Sequence, residues 1–331
     1  MSSGSSHRMS LSSLVKQSVT RNNIEKNKSV NSMKKKNISI IGAFLAAFGG
    51  ICWGLSGSMG QYLFTTELMD SRWLVPIRLG LAGLLLLTYC ALRYPGQIWN
   101  PWKHHQDRIE LIIYGLAGVS CCQFLYFLTI QLSSAGIATI LQDLSPIIIL
   151  MISCLSGRRL PRITEIIAIA LALIGVFLIT THGNLRLSIS VYAILTGVLS
   201  AVCVTIYNVV PTRLMKSYPV LLLQGWAFIM GCVFLGIIFH PWTYHYVPSA
   251  MGLFGILFVV VVGNVIAFPC YLKGVHLIGP EKSILWGFSE PLTAALIAVW
   301  ILGNPFTIWD GIGFAAIFGM LVLISCEENR T

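Results

Sequence analysis

Residues 249–274 read SAMGLFGILFVVVVGNVIAFPCYLKG. The first charged side chain in this stretch is Lys273, so residues 249–272 carry no charge. About twenty apolar residues in a helix are enough to span the hydrocarbon core of a bilayer. An uncharged run of this length is typical of a transmembrane helix rather than of a helix in a soluble core. The stretch therefore predicts a membrane span.

The composition of the whole chain agrees with this prediction. The 331 residues are 56% hydrophobic and only 10% charged, and the mean hydropathy is +0.78. Soluble domains are nearer a quarter charged, so the composition excludes a soluble globular protein. The formal net charge of +10 is concentrated in the first 36 residues and in short gaps between apolar runs. This pattern fits contact with an anionic lipid leaflet and not a nucleic-acid-binding face, so we expect no nucleic acid partner.

Apolar runs separated by short breaks fill the chain from residue 38 onward. Backbone groups in lipid must satisfy their own hydrogen bonds, so each run is predicted to be a helix. The predicted fold class is an all-α integral membrane bundle of about ten transmembrane helices. The predicted spans are residues 38–64, 71–92, 108–130, 134–155, 163–181, 190–212, 219–239, 249–274, 280–302 and 307–326.

The amino-terminal segment has a different character. Residues 1–37 are polar and lack hydrophobic periodicity, which predicts a disordered cytoplasmic tail. The apolar run that follows is too long for a cleavable signal peptide. Met33 is a second plausible start, so the sequence leaves open whether residues 1–32 are native.

The distribution of Lys and Arg among the short loops predicts the orientation. With the tail in the cytoplasm, the outer loops hold only Arg72 and Arg186. The inner loops then hold Arg93, Lys103, Arg108, Arg158, Arg159, Arg162, Arg213, Lys216, Lys273 and Lys282. Both termini of this multi-pass membrane protein are therefore predicted to be cytoplasmic.

An internal duplication is visible when the chain is shifted by about 145 residues. This shift places Gly118 on Gly263, Tyr126 on Tyr271, Pro146 on Pro291 and Glu165 on Asp310. Each unit would hold five spans, at 38–184 and 185–331, and an odd number of spans inverts the second unit. The positions of the basic loops agree, because RRLPR at 158–162 aligns with the uncharged GNPFT at 303–307. We therefore predict two inverted five-helix repeats.

Carboxylates in the middle of predicted spans are the first candidates for function. A carboxylate at the centre of a membrane helix costs roughly 2.5–3.5 kcal/mol on insertion scales, so it must face a cavity, a partner or water. Asp143 precedes Pro146 by three residues, and Glu290 directly precedes Pro291. Each proline frees a backbone carbonyl that can line a cavity. Both acids could bind a substrate cation or exchange protons; the structural alternative is a hydrogen bond to Gln123, Gln142, Trp286 or Lys273.

Other polar and aromatic side chains at membrane depth are candidates for the wall of such a cavity. Arg78 could bind a substrate carboxylate, pair with an internal acid, or extend to the membrane surface. The candidate wall residues are Trp53, Ser56, Gln123, Tyr126, Tyr207, Asn208, Asn264, Tyr271 and Trp286. Each of them could instead serve interhelical packing. As a group they predict a cavity with aromatic walls and few charges, suited to a solute such as an amino acid.

Enzymatic motifs are absent from the sequence. It contains no Walker lysine motif, HExxH, GxSxG or paired CxxC, so we expect no enzymatic activity, no cofactor and no metal site. Polar groups at membrane depth within two inverted repeats favour a secondary transporter. Two alternatives to transport remain open. One is an intramembrane enzyme or lipid-handling protein, which would cluster its polar groups near one leaflet. The other is a non-transporting membrane subunit, which would carry a folded soluble domain or a long loop.

Five short motifs, in order along residues 38–326, resemble the EamA-type permeases of the drug/metabolite transporter superfamily. They are CWGLSG at 52–57, RLGLAG at 78–83, LSP at 144–146, SEP at 289–291 and DGIG at 310–313. The resemblance is to the ten-span type of the bacterial inner membrane. It implies a central cavity lined mainly by spans one, three, four, six, eight and nine, with alternating access.

One motif of the family is missing. Many members carry a Glu after a Leu-Gly pair at the ends of spans four and nine, where this chain has Arg158-Arg159 and Asn304. Any role of that Glu is therefore not carried over. The resemblance implies a secondary-active exporter of a small metabolite, such as an amino acid. A proton is a candidate coupling ion, and the chain could be a monomer or a homodimer.

Overall fold

Every regular element that the structure describes is helical. The computed structural model describes residues 11–181, 190–300 and 307–328, with side chains at 37–179, 181, 190–297 and 307–323. The main helices are α1 (Leu11–Thr65), α2 (Ser71–Arg93), α3 (His105–Leu132), α4 (Ala135–Ser156), α5 (Ile163–Thr181), α6 (Val191–Ser217), α7 (Val220–Phe239), α8 (Ala250–Ile278), α9 (Pro280–Trp286 with Ser289–Trp300) and α10 (Ile308–Glu328). The predicted all-α bundle of about ten helices is thus confirmed.

The lengths of these helices match a bilayer. In the described residues, seven helices are long and apolar enough to cross a membrane, namely α1 over Asn37–Thr65, α2, α3, α4, α6, α7 and α8. Ile163–Ile179 and Ile308–Leu323, within α5 and α10, are shorter apolar helices. The ninth predicted span, 280–302, runs beyond the described part of α9. Arg186 and residues 303–306, which belong to predicted loops, lie outside the residues that the structure describes.

The first helix begins before the first predicted span. It begins at Leu11, within the segment 1–37 that was predicted to be disordered. Residues 11–41 contain neither Gly nor Pro, so no residue in this stretch interrupts a helix that continues from the first span. The chain from Gly42 onward forms a compact unit of its own.

Irregular turns recur at equivalent places in the two predicted repeats. A π-helical segment begins at Ile113 in α3 and another begins at Val259 in α8. Both α4 and α9 break after a short first segment, and the second segments begin at Ser145 and Ser289. Each of these pairs is separated by close to the 145 residues of the sequence repeat. The duplication is therefore present in the backbone geometry as well as in the sequence.

Contacts between equivalent helices show that the second repeat is inverted. A Cβ placed on Gly80 of α2 would lie 2.7 Å from Cys232 Sγ of α7, and one on Gly225 of α7 would lie 2.8 Å from Leu87 Cδ2 of α2. Residue numbers rise along α2 as they fall along α7, so the two helices are antiparallel. Gly80 and Gly225 are 145 residues apart, and so are Leu87 and Cys232. The two-fold relation between the repeats therefore converts each of the two contacts into the other.

The pair α5 and α10 repeats this arrangement. A Cβ on Gly175 would lie 2.6 Å from Ile317 Cγ1, and one on Gly313 would lie 2.7 Å from both Ile179 Cγ1 and the Gly175 carbonyl. When two equivalent helices pack antiparallel, a two-fold axis perpendicular to their long axes exchanges them. In a transmembrane bundle this axis lies in the membrane plane, which is the symmetry of an inverted repeat.

The close crossing of α5 and α10 can be tested by adding one methyl group to α10 at Gly313. We expect Gly313→Ala to destabilise the protein by about 1–3 kcal/mol, because the new Cβ would collide with the backbone of α5. The matched control is Gly319→Ala on the same helix, where a Cβ has no neighbour within 4 Å. Thermal unfolding in detergent should show a lower Tm for Gly313→Ala only, and equal Tm values would contradict this packing.

Candidate functional site

The break in α4 places Asp143 at the middle of the bundle. The first segment, Ala135–Gln142, is capped by Ser134, whose hydroxyl accepts a hydrogen bond from the Ile137 N–H at 3.3 Å. Asp143 N–H still donates to the Thr139 carbonyl at 2.8 Å, which completes the last turn. Pro146 lies in the first turn of the second segment, where its missing N–H costs nothing. The backbone therefore turns at Asp143 and Leu144 and then resumes as a helix.

The break in α9 is held in place by α1. Ser289 Oγ donates a hydrogen bond to the Ala47 carbonyl at 2.6 Å. Cβ atoms placed on Gly50 and Gly54 would lie 2.7 Å from the Gly287 carbonyl and 2.6 Å from the Glu290 carbonyl. Only glycine permits this approach of the two backbones. The close contact places the turn of α1 that follows Gly54 at the cavity wall, which Glu290 also lines.

A cavity of about 50 Å³ lies where the two repeats meet. It is lined by Trp53, Ser56, Gly57, Arg78, Cys122, Gln123, Tyr126, Phe127, Gln142, Asp143, Ser145, Val204, Tyr207, Gly263, Phe268, Tyr271, Ile284, Gly287 and Glu290. Most of these residues belong to α1, α3, α4, α6, α8 and α9, which are the six helices that the family resemblance implies. Arg78 adds a seventh helix, α2. Pockets for small molecules are typically about 300–1000 Å³, so this cavity is smaller than a usual ligand pocket.

Nine of the twelve candidate residues line this cavity, and three do not. The exceptions are Asn208, Asn264 and Trp286. Each of them directly follows or precedes a lining residue, namely Tyr207, Gly263 or Gly287. A helix turns by about 100° per residue, so a residue next to a lining position can face away from the cavity, as these three do.

The three exceptions have different surroundings. Asn208 is fully buried and accepts a hydrogen bond from Tyr271 OH at 2.9 Å, so it supports the cavity wall from behind. Asn264 is 1% exposed, and neither polar atom of its amide has a partner in the described part of the chain. The Trp286 indole N–H is also buried without a partner there.

Arg78 is the cation of the cavity. Only 1% of its surface is exposed, so it does not extend to the membrane surface. Its guanidinium donates to Gln123 Oε1 and lies over the Phe127 ring, with Cζ 3.5 Å from the ring centroid. Among the described side chains no carboxylate is in salt-bridge contact with it, and its Nε has no partner. Part of the hydrogen-bonding capacity of its guanidinium is therefore unsatisfied within the described residues.

The two carboxylates of the cavity have different partners. Glu290 Oε1 accepts a hydrogen bond from Tyr126 OH at 2.8 Å, and that hydroxyl also contacts Thr139 Oγ1 at 3.1 Å. Asp143 Oδ2 is buried, with no partner in the described residues. Both residues are half-buried because they border the cavity.

Among the described residues, none of the four structural partners considered for these acids is hydrogen-bonded to them through its side chain. Gln123 accepts from Arg78, and Gln142 donates to Cys122 Sγ at 3.2 Å. Lys273 is exposed, and the Trp286 indole has no partner in the described chain. The described residues therefore show no hydrogen bond from these four side chains to Asp143 or Glu290. The actual partner of Glu290 is Tyr126, which the sequence identified only as a wall residue.

Aromatic residues form another part of the cavity wall. The Trp53 ring centroid lies 4.8 Å from those of Phe268 and Tyr271, and its indole N–H donates to the Gly263 carbonyl at 3.1 Å. Tyr207 packs against Phe268 at 5.7 Å. In the repeat frame, Phe268 is the equivalent of Gln123. At this pair of equivalent positions the first repeat therefore has a hydrogen-bonding amide and the second has an aromatic ring.

Several lining residues were not among the candidates. Phe127 and Gln142 are detectable in principle, because Phe127 follows Gln123 by one helical turn and Gln142 adjoins Asp143. Gly57 and Gly263 present only backbone to the cavity. Glycine has no side chain from which a lining position could be recognised in the sequence. Phe268 and Val204 have no polar group to distinguish them from packing residues.

Ion pairs connect the repeats at one face of the bundle. Arg213 of α6 contacts Asp107 and Glu110 of α3 at 2.5 and 2.7 Å. Arg159, between α4 and α5, contacts Glu281 of α9 at 3.6 Å. Just outside the spans, burial and the Asp107 carboxylate raise the pKa of Tyr218 to about 12, so this phenol stays a hydrogen-bond donor.

Hydrogen bonds connect the repeats at the opposite face. Tyr246 OH donates to the Glu67 carbonyl at 2.9 Å, and Ser249 Oγ donates to the Glu67 carboxylate at 2.7 Å. The cavity therefore lies between two sets of contacts, and each set joins the first repeat to the second.

Similarity to known proteins agrees with this geometry. The EamA-like transporter family matches residues 40–181 and again residues 191–326. A protein of Salmonella typhimurium named "Uncharacterized inner membrane transporter YicL" is 36% identical over 281 residues, which are 85% of this chain and 93% of that protein. "Uncharacterized transporter YwfM" of Bacillus subtilis is 22% identical over 89% of this chain and 96% of its own length.

A solved crystal structure shares the fold. It has a TM-score of 0.70 and is 15% identical, over 89% of this chain and 98% of the other. Two copies of the family's repeat thus account for most of the sequence, and they meet at one central cavity. The chain belongs to the EamA-like transporter family.

Proposed function

We propose that this protein is a secondary-active transporter that exports a small metabolite, such as an amino acid, by alternating access. The observation that carries the proposal is the position of the cavity. It lies between the two inverted repeats, is lined by both, and contains one guanidinium and two carboxylates. Membership of a transporter family supports the general function, and the substrate and direction are our inference.

The contacts between the repeats support alternating access. At one face Arg213 and Arg159 bridge the repeats, and at the other face Glu67 does so. Opening either side of the cavity requires one set of contacts to break while the other holds. Inverted repeats have two related conformations in which the two faces exchange these roles.

The chemistry of the cavity supports a solute that carries charged groups. The open hydrogen-bonding capacity of Arg78 suits a carboxylate, because charge-assisted hydrogen bonds are the strongest available to it. Asp143 and Glu290 suit an ammonium group. The aromatic side formed by Trp53 and Phe268 suits an apolar or aromatic part of the same solute. An amino acid has all three features.

The location follows from the same family and from the loop charges. YicL is named as an inner membrane transporter, and we propose the bacterial inner membrane for this chain as well. The loops with most Lys and Arg lie on the face that carries Arg159 and Arg213. We propose that this face and both termini are cytoplasmic.

Arg78→Gln tests the substrate site. We expect transport of the preferred amino acid in proteoliposomes to fall by roughly 10- to 100-fold, because a charge-assisted contact to the solute is lost. The matched control is Arg72→Gln on the same helix, where Arg72 is exposed and pairs with Asp70 at 3.7 Å. Equal loss in both variants, or none in either, would count against the assignment of Arg78.

Cysteine labelling tests the orientation. We expect Val247→Cys to react with a membrane-impermeant maleimide in intact cells, because this exposed residue lies on the predicted outer face. Lys103→Cys, exposed on the opposite face, should react only after permeabilisation. The reverse pattern would invert the proposed topology.

A further inference from the structure

The charges that face the cavity do not balance. The titratable groups around Asp143 from the packed helices are Arg78 of α2, Cys122 and Tyr126 of α3, Tyr207 of α6, Tyr271 of α8 and Glu290 of α9. The lining residues of α1, among them Trp53 and Ser56, are not titratable. Thiols and phenols are ordinarily neutral at neutral pH. The cavity therefore holds one fixed cation, Arg78, and two carboxylates.

An unpaired charge buried away from water is strongly disfavoured. When the cavity contains no solute, neutrality requires one of the two carboxylates to hold a proton. The hydrogen bonds indicate which one. Glu290 accepts from Tyr126 OH, and a donated hydrogen bond stabilises a carboxylate. Asp143 Oδ2 is buried with no partner in the described residues, so ionised Asp143 would be the less stabilised of the two.

The repeat frame explains how the two acids can have separate roles. Asp143 is the equivalent of Phe288, and Glu290 is the equivalent of Ser145. The acids are therefore not symmetry mates, and their surroundings are not forced to be alike. Glu290 adjoins the hydroxyl pair of Tyr126 and Thr139, whereas Asp143 lies at the break of α4.

We propose that the coupled substrate has a net charge of +1 and exchanges for one proton carried by Asp143. The inference rests on the proposed transport function. An amino acid without net charge would place its carboxylate at Arg78 and its ammonium at Glu290, which leaves the Asp143 proton in place. A solute with one additional ammonium group brings a charge that only ionised Asp143 can balance.

The exchange conserves charge and atoms. As the cationic solute enters, the O–H bond of Asp143 breaks, the carboxylate keeps the electron pair, and the proton leaves to water on the side to which the cavity is open. When the solute departs on the other side, a proton from that side returns to Asp143. One proton therefore crosses the membrane for each cation that moves in the opposite direction.

Lysine and norleucine form a matched pair of probes, because they share a backbone and a similar chain length but differ by one positive charge. The full chain is reconstituted in liposomes with an acidic interior. We expect lysine to accumulate about tenfold per unit of pH gradient, because one-for-one exchange makes the lysine and proton concentration ratios equal. Norleucine should equilibrate without responding to the gradient.

Substitutions then assign the proton to a residue. Asp143→Asn should abolish the response of lysine uptake to the pH gradient. The matched control is Asp70→Asn, which keeps an N-cap residue at the start of α2 and should retain the response. Glu290→Gln should weaken the uptake of both probes.

The outcomes separate this inference from the proposed function. If both probes respond equally to the gradient, or if Asp143→Asn keeps the lysine response, the inference is overturned while transport stands. If the parent protein moves no amino acid under any gradient, the proposed function itself fails. Should Asp143→Asn not fold, titration calorimetry of the parent in buffers with different ionisation enthalpies counts the protons directly. We expect one proton released per lysine and none per norleucine, and equal counts would contradict the inference.

Discussion

In hydrocarbon, every backbone N–H and C=O must find its hydrogen-bond partner inside the protein. This constraint makes each long apolar run of the chain a helix, and it makes any interruption of a helix costly. The breaks in α4 and α9 persist because protein surrounds them on the cavity side. At α9, Gly50 and Gly54 bring the backbone of α1 into direct contact, and Ser289 bonds to the Ala47 carbonyl. The two breaks in turn determine where Asp143 and Glu290 lie.

Duplication provides the framework of the cavity, and divergence between the copies provides its chemistry. The π-helical segments, the helix breaks and the antiparallel crossings all recur near one shift of 145 residues. The side chains do not follow this symmetry. Gln123 and Asp143 of the first repeat correspond to Phe268 and Phe288 of the second. The chemistry of equivalent positions therefore differs between the two repeats.

Some features could be predicted because they depend on composition and spacing alone. The ten helices follow from apolar runs, and the inverted repeat follows from matched glycines and prolines together with the exchange of basic loops. The sequence also identified nine residues of the cavity, because polar groups at membrane depth must face something other than lipid. It assigned Asn208, Asn264 and Trp286 to the same wall, and there the structure differs. A one-residue change of position on a helix rotates a side chain by about 100°, and the sequence alone did not resolve that rotation.

The sequence by itself determined that the chain spans a membrane, that it is built from two opposed copies, and that Asp143 and Glu290 must lie away from lipid. These conclusions rest on the free energy of transferring side chains into hydrocarbon, which depends on residue type. Only the tertiary structure decided that Tyr126 bonds to Glu290, that Arg78 stacks on Phe127, and that one oxygen of Asp143 has no partner in the described chain. Such pairings join helices far apart in the sequence, and they depend on helix rotation and crossing position, which are set by packing.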